Sequence, residues 1–144
     1  MNDFYKGLAF SSKKDDWTTP KDLFNQLNAE FHFTVDLCAS AKNHLCDKYY
    51  SLENDGMMAN LEGERVFCNP PYGRKELKRW IEKCATAKAD ICVMLIPART
   101  DTNAFHDYIL GKAEIRFLRG RLRFGGANRA PFPSMIVVFR SNQK

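Results

Sequence analysis

Arg65-Val66-Phe67-Cys68-Asn69-Pro70-Pro71-Tyr72-Gly73 decides the fold, because a short apolar run halts there at two consecutive prolines. Pro70 and Pro71 fix φ and carry no N–H, so a strand entering through Arg65–Cys68 cannot extend its ladder past Asn69. A helical pattern follows. From Lys75 to Lys88, Leu77, Trp80, Ile81, Cys84 and Ala85 fall on one stripe, with Lys78, Glu82 and Lys83 on or near the other face. Ile91-Cys92-Val93-Met94-Leu95-Ile96 is then apolar at every position, as a central strand covered on both faces must be. Strand, helix and strand at this spacing predict an α/β domain with a mostly parallel sheet.

Toward the N-terminus, Phe33-Thr34-Val35-Asp36-Leu37 reads as a short strand carrying a carboxylate near its end. Ahead of it, Thr19-Pro20-Lys21-Asp22 opens a helix, with Thr19 as N-cap and Pro20 at the first helical position; Leu23, Phe24 and Leu27 form its buried face. Residues 1–16 are polar and are expected to form a flexible arm before a single domain at 17–144. The stretch 41–62 is irregular apart from strand character at Lys48-Tyr49-Tyr50-Ser51. Toward the C-terminus, Asp101 or Thr102 caps a helix reaching Leu110, which Gly111 ends. The segment Glu114 to Phe124 alternates, Leu118, Leu122 and Phe124 facing one way and Arg119, Arg121 and Arg123 the other. Ser134–Phe139 is the last strand, and the short connection to it makes the closing pair antiparallel.

Composition narrows the function classes. The 144-residue chain is 44% hydrophobic and 27% charged, an ordinary globular balance. No apolar run approaches the roughly 20 residues of a membrane span, and Met1-Asn2-Asp3-Phe4 does not open a secretory signal; a cytoplasmic protein without membrane partners is expected. Five cysteines without regular spacing behave as small hydrophobes, and Cys38, His44 and Cys46 lack the paired spacing of structural zinc, so no metal is expected. A net charge of +5 is permissive of nucleic acid, and the excess lies mostly in the C-terminal half.

The chemistry concentrates in Asn69-Pro70-Pro71-Tyr72. Ligand sites in open α/β sheets collect at the carboxyl edge of the strands. A turn stiffened by two prolines there offers two fixed acceptors, the Asn69 side-chain oxygen and the Pro70 carbonyl, with the Tyr72 ring beside them. An exocyclic amine suits such a pair. Its lone pair is delocalised into the ring, and two hydrogen bonds accepted from the NH2 favour a tetrahedral nitrogen able to attack a methyl carbon. Tyr72 would stack on the base, a contact worth about 1–3 kcal/mol. A base inside a duplex must be flipped out to reach the site.

With these blocks in place the chain resembles the bacteriophage family of Dam-like DNA N6-adenine methyltransferases. The resemblance runs through Trp17-Thr18-Thr19-Pro20, Phe33 to Ser40 with Asn43, Tyr50 to Asp55-Gly56, Val66 to Gly73, Leu95-Ile96-Pro97-Ala98-Arg99-Thr100, Phe117 to Leu122 and Ala130-Pro131-Phe132-Pro133. It implies a minimal Rossmann-like class I methyltransferase sheet, S-adenosyl-L-methionine as methyl donor, double-stranded DNA as partner, a short recognition site, and a bacterial or phage-infected cell as setting. Catalytic roles then fall to Asn69, Pro70, Pro71 and Tyr72. Donor binding falls to Trp17, Thr18, Thr19, Pro20, Asp36, Cys38, Ala39, Ser40, Asp55 and Asn69. Arg74, Arg99, Arg119, Arg121, Arg123 and Arg129 lie toward DNA, and Gly125 to Pro133 with the N-terminal arm supplies sequence recognition. Two features depart from many methyltransferases: Leu37-Cys38-Ala39-Ser40 holds no glycine, and Asp47, Glu53 and Asp55 compete for the ribose-binding acid. Glutamine N5 methylation, cytosine N4 methylation and an inactive DNA-binding module are the alternatives.

Overall fold

A computed structural model describes residues 17–51, 55–124 and 128–141. The arm expected at 1–16, Glu53, and the start, at 125–127, of the loop expected to supply sequence recognition lie outside the described residues. The elements are α1 (Lys21–Phe31), β1 (Val35–Asp36), β2 (Arg65–Cys68), α2 (Arg74–Thr86), β3 (Ile91–Pro97), β4 (Glu114–Phe117) and β5 (Ser134–Arg140), with a 3₁₀ turn at Gly56–Met58 and a π turn at Phe105–Ile109. The strands form one sheet in the order β1-β2-β3-β5-β4.

β1, β2 and β3 pair in parallel, whereas β5 is antiparallel to both β3 and β4. The closing pair is antiparallel as its short connection requires. The sheet as a whole is mixed rather than mostly parallel, because β5 inserts between β3 and β4 and makes both of its own pairings antiparallel. The parallel half positions the site. Asp36 pairs with Phe67, and Cys68 with Met94, so the ends of β1, β2 and β3 open onto one edge.

The continuous apolar run of β3 is divided between two faces. Cys92, Met94 and Ile96 join Leu77, Ile81 and Cys84 of α2 on one side. Ile91, Val93 and Leu95 join Phe24, Leu27 and Phe31 of α1 on the other. Each side chain so covered contributes about 1.5–3 kcal/mol of burial. Arg116 ties the end of α1 to the antiparallel pair, donating to Glu30 at 2.6 and 2.7 Å and to Glu114 at 2.5 Å.

Several boundaries differ from the sequence reading. α1 begins at Lys21, with Pro20 before it rather than inside it, and no side chain caps it; Thr19 is engaged elsewhere. β1 has only two residues, although the Thr34 N–H still reaches the Arg65 carbonyl at 2.8 Å. The strand character at 48–51 is realised as a single bridge between Asp36 and Tyr49: the Asp36 N–H donates to the Lys48 carbonyl and the Tyr50 N–H to the Asp36 carbonyl, across the outer edge of β1. Thr102 does cap the segment after β3, accepting from the Phe105 N–H at 3.2 Å, and Gly111 ends it at φ 75°, but the intervening turn is π. β4 stops at Phe117. Gly120 takes φ 76°, a left-handed conformation that breaks a pleated ladder, so Arg119, Arg121 and Arg123 sit on an irregular segment rather than on a strand face.

Candidate active site

Asn69 follows β2 directly, and its amide is held on three sides. Nδ2 donates to the Trp17 carbonyl and to Thr19 Oγ1 at 2.9 Å, while Oδ1 accepts the Tyr72 hydroxyl at 2.5 Å. The Trp17 carbonyl can only accept, so the amide orientation is set by chemistry. Thr19 is thereby drawn from the helix start to the Asn69–Gly73 turn. Tyr72 also reaches the Leu95 carbonyl at 3.1 Å, and its ring is 2% exposed. Phe124 and Phe132 meet it edge-on, at 6.2 and 5.6 Å between centroids, and both contact Trp17 at 5.3 Å. Tyr72 thus lies beneath an aromatic cluster rather than with a ring face open to a base. It orients Asn69 through its hydroxyl.

A cleft of about 310 Å³ opens beside Asn69 and Pro71. Trp17, Thr18, Thr19, Asp36, Cys38, Ala39, Ser40, Asp55 and Asn69 all line it; Pro20 does not. The β1 loop is shaped by its own backbone: Ser40 and Asn43 exchange two hydrogen bonds at 3.1 Å, and the Ala39 N–H reaches Tyr50 at 2.8 Å. Asp36 is the buried charge of the cleft, 3% exposed. Burial pushes its carboxyl up to about 6, against the opposing pull of the Leu45 and Cys38 backbone N–H groups and the charge of His44. Leu45 donates to Oδ2 at 3.0 Å. No Lys, Arg or His among the described residues lines the cleft, so its formal charge comes from Asp36 and Asp55.

Asp55 adopts φ 37° and accepts from the Met57 N–H at 3.2 Å, capping the 3₁₀ turn with an exposed carboxylate at the cleft. Of its competitors for the ribose, Asp47 does not line the cleft. Gly56 and Trp80 are among the lining residues to which the sequence reading gave no role. A Cβ on Gly56 would stand 2.7 Å from the Leu37 carbonyl, so the close backbone approach expected after β1 is supplied from the opposite wall. Trp80, read as part of the α2 core stripe, is half-buried and forms another wall. The Asp-Gly pair at 55–56 was the only local signal for the first, and nothing local marked the second.

A second cleft, of about 840 Å³, meets the same turn from Tyr72 and Gly73. Arg74 and Arg99 line it, and both are exposed. Arg99 also donates to the Tyr72 carbonyl at 2.8 Å, bracing the turn. Arg119, Arg121, Arg123 and Arg129 are exposed but line neither cleft. His44 stacks on Tyr49 at 4.0 Å and meets the Cys46 carbonyl at 2.7 Å, while Cys38 Sγ faces Cys68 Sγ at 3.7 Å. No metal-ligand cluster is gathered among the described residues. Nor is any helix among them long and apolar enough to cross a membrane.

Residues 8–143 match the family model described as DNA N-6-adenine-methyltransferase (Dam). A DNA N-6-adenine-methyltransferase of Escherichia phage T1 is 30% identical over 124 residues, covering 82% of this chain and 51% of that protein. The chain therefore spans about half the length of the relative it matches.

Proposed function

The chain belongs to the DNA N-6-adenine-methyltransferase (Dam) family, and from that premise we propose that it methylates the N6 amino group of adenine in double-stranded DNA, at a short site, using S-adenosyl-L-methionine. One observation carries the reading: the small cleft lined by two carboxylates, and by no cation among the described residues, abuts Asn69 and Pro71 of the Asn-Pro-Pro-Tyr turn.

The donor suits the residues present. Its sulfonium and ammonium outweigh its one carboxylate, so it enters as a net cation and meets Asp36, a buried carboxylate with no cation among the described residues lining its cleft. The cleft volume lies at the lower end of the range for small-molecule sites. Thr18 and Thr19 offer hydroxyls to the donor carboxylate, Trp17 and Trp80 offer ring surface to its purine, and Asp55 stands at the rim for the ribose. When bound, the donor supplies an electrophilic methyl carbon.

The protein supplies the orientation of the nucleophile. Asn69 Oδ1 has two lone pairs; Tyr72 takes one, and the other accepts a hydrogen of the adenine amine. The Pro70 carbonyl accepts the second hydrogen. Three hydrogen bonds hold the Asn69 amide before any substrate arrives, so little reorganisation remains for the reaction step. The methylated nitrogen is acidic and loses its proton to water. We read the sheet as a truncated Rossmann-like methyltransferase sheet within a single domain at 17–144, the bridge at Asp36 and Tyr49 standing where a further strand would pair.

Tritiated donor incubated with duplex DNA, followed by nucleoside analysis, tests the reading. Label in N6-methyldeoxyadenosine is expected; label in N4-methylcytosine, in protein, or nowhere overturns it.

A further inference from the structure

The second cleft differs from the first in chemistry as well as size. Arg74, Lys75, Lys78 and Arg99 line it against one carboxylate, Asp101. Glu76, the nearest acid on α2, is instead folded back over Gly73. The side chains of Arg74, Lys75 and Lys78 make no hydrogen bond or ion pair with any described residue. Neighbouring cations without counter-charges repel one another, an arrangement that a polyanion relieves. Beneath them the floor is apolar, formed by Ile96, Phe105 and Met135 among others. A cation rim above an apolar floor matches a nucleotide, whose phosphate is charged and whose base is flat and largely apolar on its faces.

Position adds the connection. Asn69 and Pro71 face the first cleft, and Tyr72 and Gly73 the second, so the two meet at one five-residue turn. A strand delivering an adenine to Asn69 must carry its next nucleotide away from the turn. The donor side is closed to it, being small and anionic. From this we infer that the second cleft holds the nucleotide flanking the target in the same DNA strand, with its phosphate on Arg74, Lys75, Lys78 and Arg99 and its base over Ile96, Phe105 and Met135. The inference rests on the adenine-methylating reading, since it needs a DNA strand entering at Asn69.

Two variants test it, both at exposed positions. Lys75→Gln combined with Lys78→Gln removes two of the four cations on that phosphate, so the slope of log affinity against log salt for a plasmid-derived duplex should fall in magnitude by up to about 0.9. Asn103→Trp places a ring at the cleft mouth and should raise KM for DNA at least about tenfold if base entry is blocked. Affinity for S-adenosyl-L-methionine should stay within about twofold in both, which also reports an intact fold. An unchanged salt slope together with an unchanged KM overturns the inference, as does equally effective competition by free deoxyadenosine monophosphate, which would make the cleft a mononucleotide site. The two readings fail separately. Wild-type methylation of adenine with indifferent cleft variants leaves the function standing and removes the inference. Salt-sensitive DNA binding through the cleft without any transfer removes the function, and with it the flanking-nucleotide assignment.

Discussion

On one side of the Asn69–Gly73 turn lie Asp36 and Asp55, with no cation among the described residues lining the cleft; on the other, four Lys and Arg side chains line a cleft that holds one carboxylate, Asp101. The first cleft is small and framed by backbone hydrogen bonds; the second is larger, with a charged rim and an apolar floor. On the proposed function, this contrast would let a short chain handle a cationic donor and a polyanionic acceptor together. Each ligand would be attracted to the cleft of opposite charge and repelled from the other. The turn that separates the clefts would present the one group, Asn69, that both must approach.

The largest effect expected from breaking this arrangement is at Asn69 itself. Asn69→Ala removes the oriented acceptor shared by the two sides, and kcat should fall about 10²–10³-fold, as for loss of one preorganised hydrogen-bonding group at a reacting centre. Retention of the wild-type rate in single-turnover assays would show that the turn does not grip the amine.

Asp36 sharpens the contrast on the donor side. Asp36→Asn should weaken donor binding about 10–100-fold by calorimetry, the value of a hydrogen bond or contact to a charged group, with duplex affinity unchanged. The wild type should also carry a pH signature. With its carboxyl raised from 3.8 to about 6, the folded protein holds this proton more tightly than the unfolded chain does. That contribution, about 3 kcal/mol, is fully present below about pH 4 and is lost as pH rises through about 6. Donor binding has the opposite dependence, because a cation favours the ionised form, so affinity should increase through the same window. A flat donor affinity between pH 5 and 7 would separate Asp36 from the ammonium.

A smaller change is expected at Tyr72. Tyr72→Phe keeps the ring and removes the hydroxyl that holds Asn69 Oδ1, so kcat should drop about 3–10-fold while KM for DNA stays nearly constant. Unchanged kcat would return Tyr72 to base stacking. Smallest of all should be the triple replacement of Arg119, Arg121 and Arg123 with Ala. These residues line neither cleft, and their loss should weaken duplex binding less than the paired lysine change does. A larger effect, read as a steeper fall in salt slope, would move the DNA face to the 118–124 segment.

The elements that sequence made legible are those with strong local patterns. β2 ends where Pro70 and Pro71 forbid a ladder, β3 is recognisable from unbroken apolarity, and α2 from its stripe. Most residues that line the first cleft were also legible, because parallel pairing gathers strand ends to one edge. What stayed hidden depends on partners distant in the chain. Thr19 reads as a helix cap until Asn69, fifty residues on, takes its hydroxyl. Tyr72 reads as an exposed stacking ring until Trp17, Phe124 and Phe132 are assembled around it. The arginine row reads as a strand face because its alternation survives, with Leu122 and Phe124 packed inward, although Gly120 has already ended the strand. Gly56 supplies the close approach that the β1 loop lacks, but only its distance from the Leu37 carbonyl reveals this.

Measuring donor and duplex affinity separately on Asp36→Asn and on the paired Lys75→Gln, Lys78→Gln protein addresses the division at the turn most directly. The expected outcome is a crossed pattern, in which the first change weakens only the donor and the second only the duplex. Parallel losses, each variant weakening both ligands alike, would mean that the turn does not divide the two, and the account would be wrong.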